Sequence, residues 1–256
     1  MTLPALFVSH GAPDLPLSNT PARGFTESLG SRYPDARAVL VVSAHWEGRV
    51  NTVGAAERPE TIHDFGGFDP RLYRLQYPAR GSTELSQRLS ELLEGAGIEH
   101  ARDNRRGLDH GAWVPLLLAF PEAELPVVQL SLRWGASAAE NFVLGQALAP
   151  LRKEGVLIVG SGATVHNLRA LAPEGSPPPE WAVDFNNWVV EGVTSGNVEK
   201  LLAFPDTPKS ARSAHPTHEH LMPVFVVLGA GGGSGRLLHQ SFSYGSIGMT
   251  SFEAGA

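Results

Sequence analysis

The sequence predicts an α/β fold: a single domain with a central mixed, largely parallel sheet flanked by helices. Short continuous apolar runs (Leu6–Ser9, Ala38–Ser43, Pro126–Leu132, Val156–Val159) are bounded by polar or small residues, as expected of strands covered on both faces. Amphipathic stretches lie between them; Leu85, Leu89, Leu92 and Leu93 share one helical face. Three of the runs lead into a histidine: His10, His45 and, beyond Gly160-Ser161-Gly162, His166. Loops at the carboxyl ends of parallel strands form the crevice in which open α/β sheets bind ligands.

The chain has 256 residues, 42% hydrophobic and 18% charged, which suits one catalytic domain over 1–256 with a sizeable core. The net charge of −6 and the lack of any basic run exclude nucleic acid and anionic membrane surfaces as partners. No stretch approaches the roughly 18 apolar residues of a membrane span. The opening MTLPALFVSHG reads as a first strand and not a signal peptide, so a cytoplasmic location is expected. Without cysteine there are no disulfides, thiolate zinc sites or iron–sulfur clusters, and any metal must be held by His, Asp or Glu. No oligomeric state is implied.

Leu6–Ser9 is the first strand, ending at His10. Thr26–Leu29 starts a weak helix that Tyr33-Pro34-Asp35 breaks. Ala38–Ser43 is the central strand, with His45 just past its end, and Val50–Val53 is expected to return as a hairpin. Glu60–Gly81 is a long aromatic loop of the kind that forms lids or binding walls, and His63 beside Asp64 is a candidate ligand or base there. Ser82–Leu93 is a helix stopped by Gly95, and Asp109-His110-Gly111 turns sharply into another, with His110 near its start. After the strand Pro126–Leu132, Ala138–Leu151 reads as a helix. Gly160-Ser161-Gly162 matches neither a nucleophile elbow nor a dinucleotide fingerprint, so close backbone packing is its expected role.

Pro173–Pro179 is too short to divide domains, and Trp181–Val190 has the spacing of a core helix. Thr217 is the expected N-cap of a helix running to Gly229, with His218-Glu219-His220 in its first turn and Pro223 close to its start. Leu237–Tyr244 is the expected closing strand.

A single histidine at a strand end is most simply a hydrogen-bonded loop residue, but two on strands expected to be neighbours, His10 and His45, read as metal ligands. Consecutive helical side chains diverge by about 100°, so only one of His218, Glu219 and His220 can join them. Three ligands leave an octahedral ion positions for a catechol's two oxygens and for dioxygen, the arrangement of non-haem Fe(II) oxygenases. The same three around a tetrahedral Zn(II) with one water would suit a hydrolase, and spacing alone does not choose. A catalytically silent metal-binding protein is the third reading.

The strings FVSHGAP, LVVSAHWEGR, TIHDFGGF, GLDHGAWVPL, PVVQLSL, VLIVGSGATVHNLR and HPTHEHLMPVFVVLGA resemble, in order and over nearly the whole chain, the class III extradiol ring-cleavage dioxygenases, and most nearly their 4,5-DOPA dioxygenase-like branch. The resemblance implies an oxidoreductase of aromatic compound metabolism that opens a DOPA-like catechol with O2 at a non-haem Fe(II); Zn(II) would compete for the site. It implies His10, His45 and His220 as metal ligands. His166 matches an acid/base that is sometimes counted as a fourth ligand, and His110 a residue that hydrogen-bonds substrate or oxygen. The chain departs from the pattern at His218, where Pro is usual, which makes His218 and Glu219 rivals to His220. Trp46, Trp113 and the aromatic loop are expected walls for a planar substrate.

Overall fold

The structure, a computed structural model, describes residues 2–256. In chain order its regular elements are β1 (Ala5–Ser9), α1 (Pro21–Glu27), β2 (Ala38–Gly48), β3 (Asn51–Gly54), α2 (Thr83–Gly95), β4 (His100–Asp103), α3 (His110–Ala119), β5 (Val127–Arg133) and α4 (Ala138–Leu148). There follow β6 (Val156–Gly162), α5 (Glu180–Ser195), α6 (Val198–Leu202), α7 (Ala211–Ala214), α8 (Met222–Gly231), β7 (Gly235–His239), β8 (Phe242–Ser243), β9 (Ile247–Gly248) and β10 (Ser251–Ala254). One eight-stranded sheet has the order β4-β3-β5-β2-β6-β1-β10-β7, while β8 and β9 form a separate ribbon. The four central strands β5, β2, β6 and β1 are parallel; β10 and β7 add antiparallel strands at one side. The fold is therefore the mixed, largely parallel α/β architecture expected.

Side chains alternate between two faces, as strand geometry dictates. Phe7, Leu40, Val42 and Ile158 pack on the side of α2, α4, α5 and α8, against Leu89, Leu148, Phe185 and Val226. Leu6, Val8, Val39, Val41 and Val159 pack on the other, against Trp113 of α3 and the Leu15–Tyr33 segment. Full burial of each large aliphatic or Phe side chain is worth about 1.5–3 kcal/mol relative to exposure, so both faces hold the central strands in place.

The structure corrects several expectations. β1 and β2 are not neighbours, because β6 runs between them and supplies a middle platform for the site. β2 continues past Ser43 to Gly48, with an irregularity against β5 between Val42 and Glu47, so His45 sits in a distorted strand end and not beyond it. Val50–Val53 forms no hairpin with β2, both of whose edges are taken by β5 and β6; β3 pairs instead with β4 and, antiparallel, with β5. The closing run Leu237–Tyr244 is broken at Gln240-Ser241 into β7 and β8, Tyr244 (φ +49°) and Gly245 (φ +73°) then turn the chain from β8 into β9, and the last strand is β10. α8 starts at Met222, not after Thr217. A helix from Thr217 would set the Pro223 ring against the carbonyl of Glu219, whereas a start at Met222 puts Pro223 in the first turn, where no N–H is needed. His218, Glu219 and His220 therefore lie in the turn before the helix.

Candidate active site

Five histidines meet at the carboxyl end of the central strands. His10 follows β1, His45 stands in the irregular end of β2, and His166 comes four residues after β6. His110 is the first residue of α3, whose N-cap Asp109 accepts the amide of Ala112 at 3.2 Å, and His220 is in the turn before α8. The His45 Nε2 atom lies 3.0 Å from His10 Nε2 and 3.3 Å from His220 Nε2. All five line one cavity of about 660 Å³.

The second nitrogen of each converging ring has its own anchor. His10 Nδ1–H donates to Ser161 Oγ at 2.9 Å, and Ser161 passes its own proton to the carbonyl of Gly111. That carbonyl is free because the residue four further on, Pro115, has no N–H to offer it. His220 Nδ1–H donates to Glu219 Oε1 at 2.9 Å, and His45 Nδ1 faces Asp64 Oδ2 at 3.8 Å. Asp64 Oδ1 also receives the backbone and Nδ1 protons of His110, each at 2.9 Å. With the Nδ1 protons of His10 and His220 held by Ser161 and Glu219, the Nε2 lone pairs of these two rings point at His45 Nε2.

Burial keeps these rings neutral. Desolvation holds His10 and His220 well below the ordinary imidazole range, and lowers His45 to about 3, with neighbouring His110 adding to the effect and Asp64 opposing it. His166 is lowered more mildly, by burial offset by the Glu219 carboxylate. Its ring lies flat on His220, with centroids 3.4 Å apart and planes 8° apart.

Behind the histidines stands a buried carboxylate. Asp109 accepts from Ser43 Oγ at 2.7 Å and from Gln129, and Ser43 Oγ receives the backbone N–H of His45 at 3.2 Å. Glycines let the layers close. A Cβ on Gly162 would strike the carbonyl of His220, which holds the Ala163 amide at 3.0 Å, so the close packing expected of Gly160-Ser161-Gly162 is found and seats the His220 turn on β6.

His63 is not in the site: it bonds the carbonyl of Leu75 at 3.0 Å and packs edge-on to Trp113, and its neighbour Asp64 reaches the histidines instead. His218 is exposed and packs against Phe204, away from the cavity, and Glu219 touches His220 as an acceptor. Trp113 is fully buried under the loop, its Nε1–H on Ile62, and Trp46 packs against Arg106, so neither is a wall. Phe65, Phe68, Leu168, Leu171, Tyr244 and Ile247 are. Sequence reasoning missed Ser43, Ser161 and Asp109; only the N-cap position of Asp109, before a helical start, was a readable signal.

The model of the catalytic LigB subunit of aromatic ring-opening dioxygenases matches residues 20–254. The chain belongs to this family. It is a ring-cleaving dioxygenase, an oxidoreductase, and the hydrolase and silent-binder readings are not favoured. The LigB-family chain is 41% identical over 258 residues to a 4,5-DOPA dioxygenase extradiol of Beta vulgaris, covering 96% of each. It is 42% identical over 260 residues to a protein of the same name from Escherichia coli K12, covering 99% of this chain and 95% of the other. The crystal structure of an uncharacterised Escherichia coli K12 protein superposes with a TM-score of 0.82 at 36% identity, over 99% of this chain and 100% of that one. LigB-type dioxygenases use a non-haem metal, and His10, His45 and His110 form one group, His166, Glu219 and His220 another, with ligating atoms close enough to hold one. No helix among the described residues is long and apolar enough to cross a membrane.

Proposed function

We propose that the whole chain is one catalytic domain that cleaves catechols beside the diol, with His10, His45 and His220 holding Fe(II). The observation that carries this reading is the convergence of three Nε2 atoms, 3.0 and 3.3 Å apart along two edges, with those of His10 and His220 left as lone pairs by the Nδ1 bonds to Ser161 and Glu219. Donors about 2.1 Å from one octahedral ion stand about 3.0 Å apart when adjacent, and a cation removes the repulsion among them. The outer acceptors Ser161, Glu219 and Asp64 are the partners that orient ligating imidazoles and raise their basicity. When bound, Fe(II) supplies open positions for the diol and O2 and the electronic path between them. Zn(II), favoured over Fe(II) by the usual affinity order, would fill the same site without that redox chemistry.

His166 is better suited to move protons than to bind metal. Imidazole lone pairs lie in the ring plane, so those of the stacked His166 and His220 rings lie in parallel planes and do not converge as those of a shared ligand set would. A neutral His166, kept so by burial, takes a proton from the diol and returns it at oxygen–oxygen cleavage. His110, its Nδ1–H spent on Asp64, presents Nε2 as an acceptor for the second hydroxyl. Phe65, Phe68 and Ile247 hold the ring and exclude water. The ring C–C bond beside the diol breaks, and both oxygen atoms enter the product, one in the aldehyde and one in the carboxylate. Relatives named 4,5-DOPA dioxygenase extradiol make DOPA the first substrate to assay. The cytoplasm, where Fe(II) stays reduced, is the compartment we propose.

The test is oxygen uptake by metal-stripped protein reloaded anaerobically with Fe(II) or Zn(II) and mixed with DOPA or simple catechols. Uptake with Fe(II) alone, one O2 per coloured semialdehyde, is expected. His166→Ala should lower kcat about 10²- to 10⁴-fold while the protein still binds one metal; loss of metal from this variant would make His166 a ligand. No uptake with any diol would end the extradiol reading.

A further inference from the structure

Among the described residues, Arg169 is the one Arg or Lys on the wall of the histidine cavity. Its guanidinium makes no hydrogen bond and no ion pair, whereas Arg23, Arg71, Arg88, Arg133 and Arg236 are each paired with a carboxylate. The backbone beneath it is pinned. Asn167 caps the 3₁₀ turn Leu168–Ala170 by accepting the Arg169 amide at 3.0 Å, and its Nδ2 donates to the carbonyl of Ser213 at 2.7 Å. Ser246 Oγ donates to the carbonyl of Ala170 at 3.0 Å, and the Ala172 amide to that of Tyr244 at 2.9 Å. A pinned turn whose cap is the residue after His166 thus carries a cation with five donors and no protein partner.

We propose that Arg169 is a specificity residue that binds a carboxylate on the ring substituent of the catechol, so that the enzyme prefers acidic catechols to neutral ones. This rests on the reading of the site as a catechol cleft. Two further observations support it. The cavity of about 660 Å³ is far larger than a bare diol ring, and lies in the range of pockets that enclose drug-sized ligands, so there is room for a side chain on the ring. The charges also call for a cation: Asp64 and Glu219 offset a divalent ion, so a bound catecholate already makes the cleft negative, and an acidic substituent would be repelled unless a positive group met it. Arg is the side chain whose planar fork matches a carboxylate with two parallel hydrogen bonds. Leu168 and Leu171 beside it are apolar, and the Asn167 side chain is already spent on the Arg169 amide and the Ser213 carbonyl.

The experiment compares 3,4-dihydroxyphenylacetate with 4-methylcatechol, which differ in the carboxylate, on wild type, Arg169→Met and Arg169→Lys. Binding is measured by calorimetry without oxygen on the Zn(II)-loaded protein, and turnover by oxygen uptake on the Fe(II) form. In wild type the acid should bind more tightly than the neutral diol. Arg169→Met should cut the acid-to-neutral ratio of both Kd and kcat/KM about tenfold, mostly through KM, and Arg169→Lys should restore part of it. Because the Arg169 side chain has no protein partner, the variants should melt with wild type. A ratio unchanged in Arg169→Met, or equal loss for both diols, overturns the proposal. Carboxylate-dependent binding that vanishes in Arg169→Met, with no oxygen uptake by any form, would uphold Arg169 and sink the ring-cleavage reading; no binding of either diol would sink both.

Discussion

The two ends of the central strands carry cavities of almost equal size and opposite chemistry. At the amino end, about 610 Å³ is enclosed by Arg37, Ala38, Ser82, Arg88, Pro126, Glu154 and Val156. Three of its charges are paired, Arg88 reaching Glu154 at 2.8 Å and Glu91 at 3.5 Å. At the carboxyl end three Nε2 atoms face each other, and those of His10 and His220 are lone pairs because Ser161 and Glu219 hold the Nδ1 protons. Volume does not distinguish a site from a crevice. Unmet ligating capacity does, and it is tolerable in a fold only if something else completes it.

Changes at the carboxyl end should therefore be felt in metal and activity, and changes at the amino end in neither. The largest effect is expected from His45→Ala, which removes the nitrogen shared by both short edges: metal content after Fe(II) loading should fall to background, and oxygen uptake with it. Glu219→Gln keeps an acceptor for His220 but discards its charge, and should weaken metal affinity about 10- to 100-fold, read by chelator competition.

A pH effect comes next. His215 is fully buried between Phe185 and Phe204, donates Nε2–H to the carbonyl of Thr164 at 2.9 Å, and is lowered by burial to about 3. Below an unfolded value near 6.5 the unfolded chain binds a proton that the folded one refuses, so stability falls as pH drops through the window from 6.5 to 3. The slope from this residue is about 1.4 kcal/mol per pH unit. Urea midpoints of metal-free protein between pH 7 and 5 should show it, and His215→Gln should lessen the slope by one proton. If the slope does not change, His215 is protonated in the fold.

Pro115→Ala gives Gly111 a helical partner that competes with Ser161, and should loosen metal binding by only about two- to fivefold, less than loss of a direct ligand partner. Arg88→Ala, at the other end, should alter neither metal content nor turnover; a loss of activity there would show that the two ends are coupled.

Much of the carboxyl end was legible beforehand. His10, His45 and His166 follow apolar runs, and the backbone of a buried parallel strand delivers whatever comes next to the sheet's edge. His110 was legible through the glycines that flank Asp109-His110 and mark a sharp turn into a helix. Which of His218 and His220 faces the cavity was not legible, because Pro223 delays α8 and leaves both histidines in a turn whose geometry a helical wheel does not describe. Of the expected substrate walls, the aromatic loop is found, with Phe65 and Phe68 on the cavity, but Trp113 and Trp46 are not walls: their large apolar faces are used in the core and against Arg106.

What the sequence by itself determined was the local: which runs become strands, where helices are capped, that no thiolate takes part, and which imidazoles arrive at strand ends, because these follow from side-chain type and from neighbours within a few residues. Only the tertiary structure decided that β6 lies between β1 and β2, that the Nε2 atoms converge, and that Ser161 is aimed at His10 by a carbonyl which Pro115 leaves free. Those outcomes join residues as far apart as His45 and His220, and depend on which strand wins each edge of the sheet, a competition among long-range pairings that no short stretch of chain records.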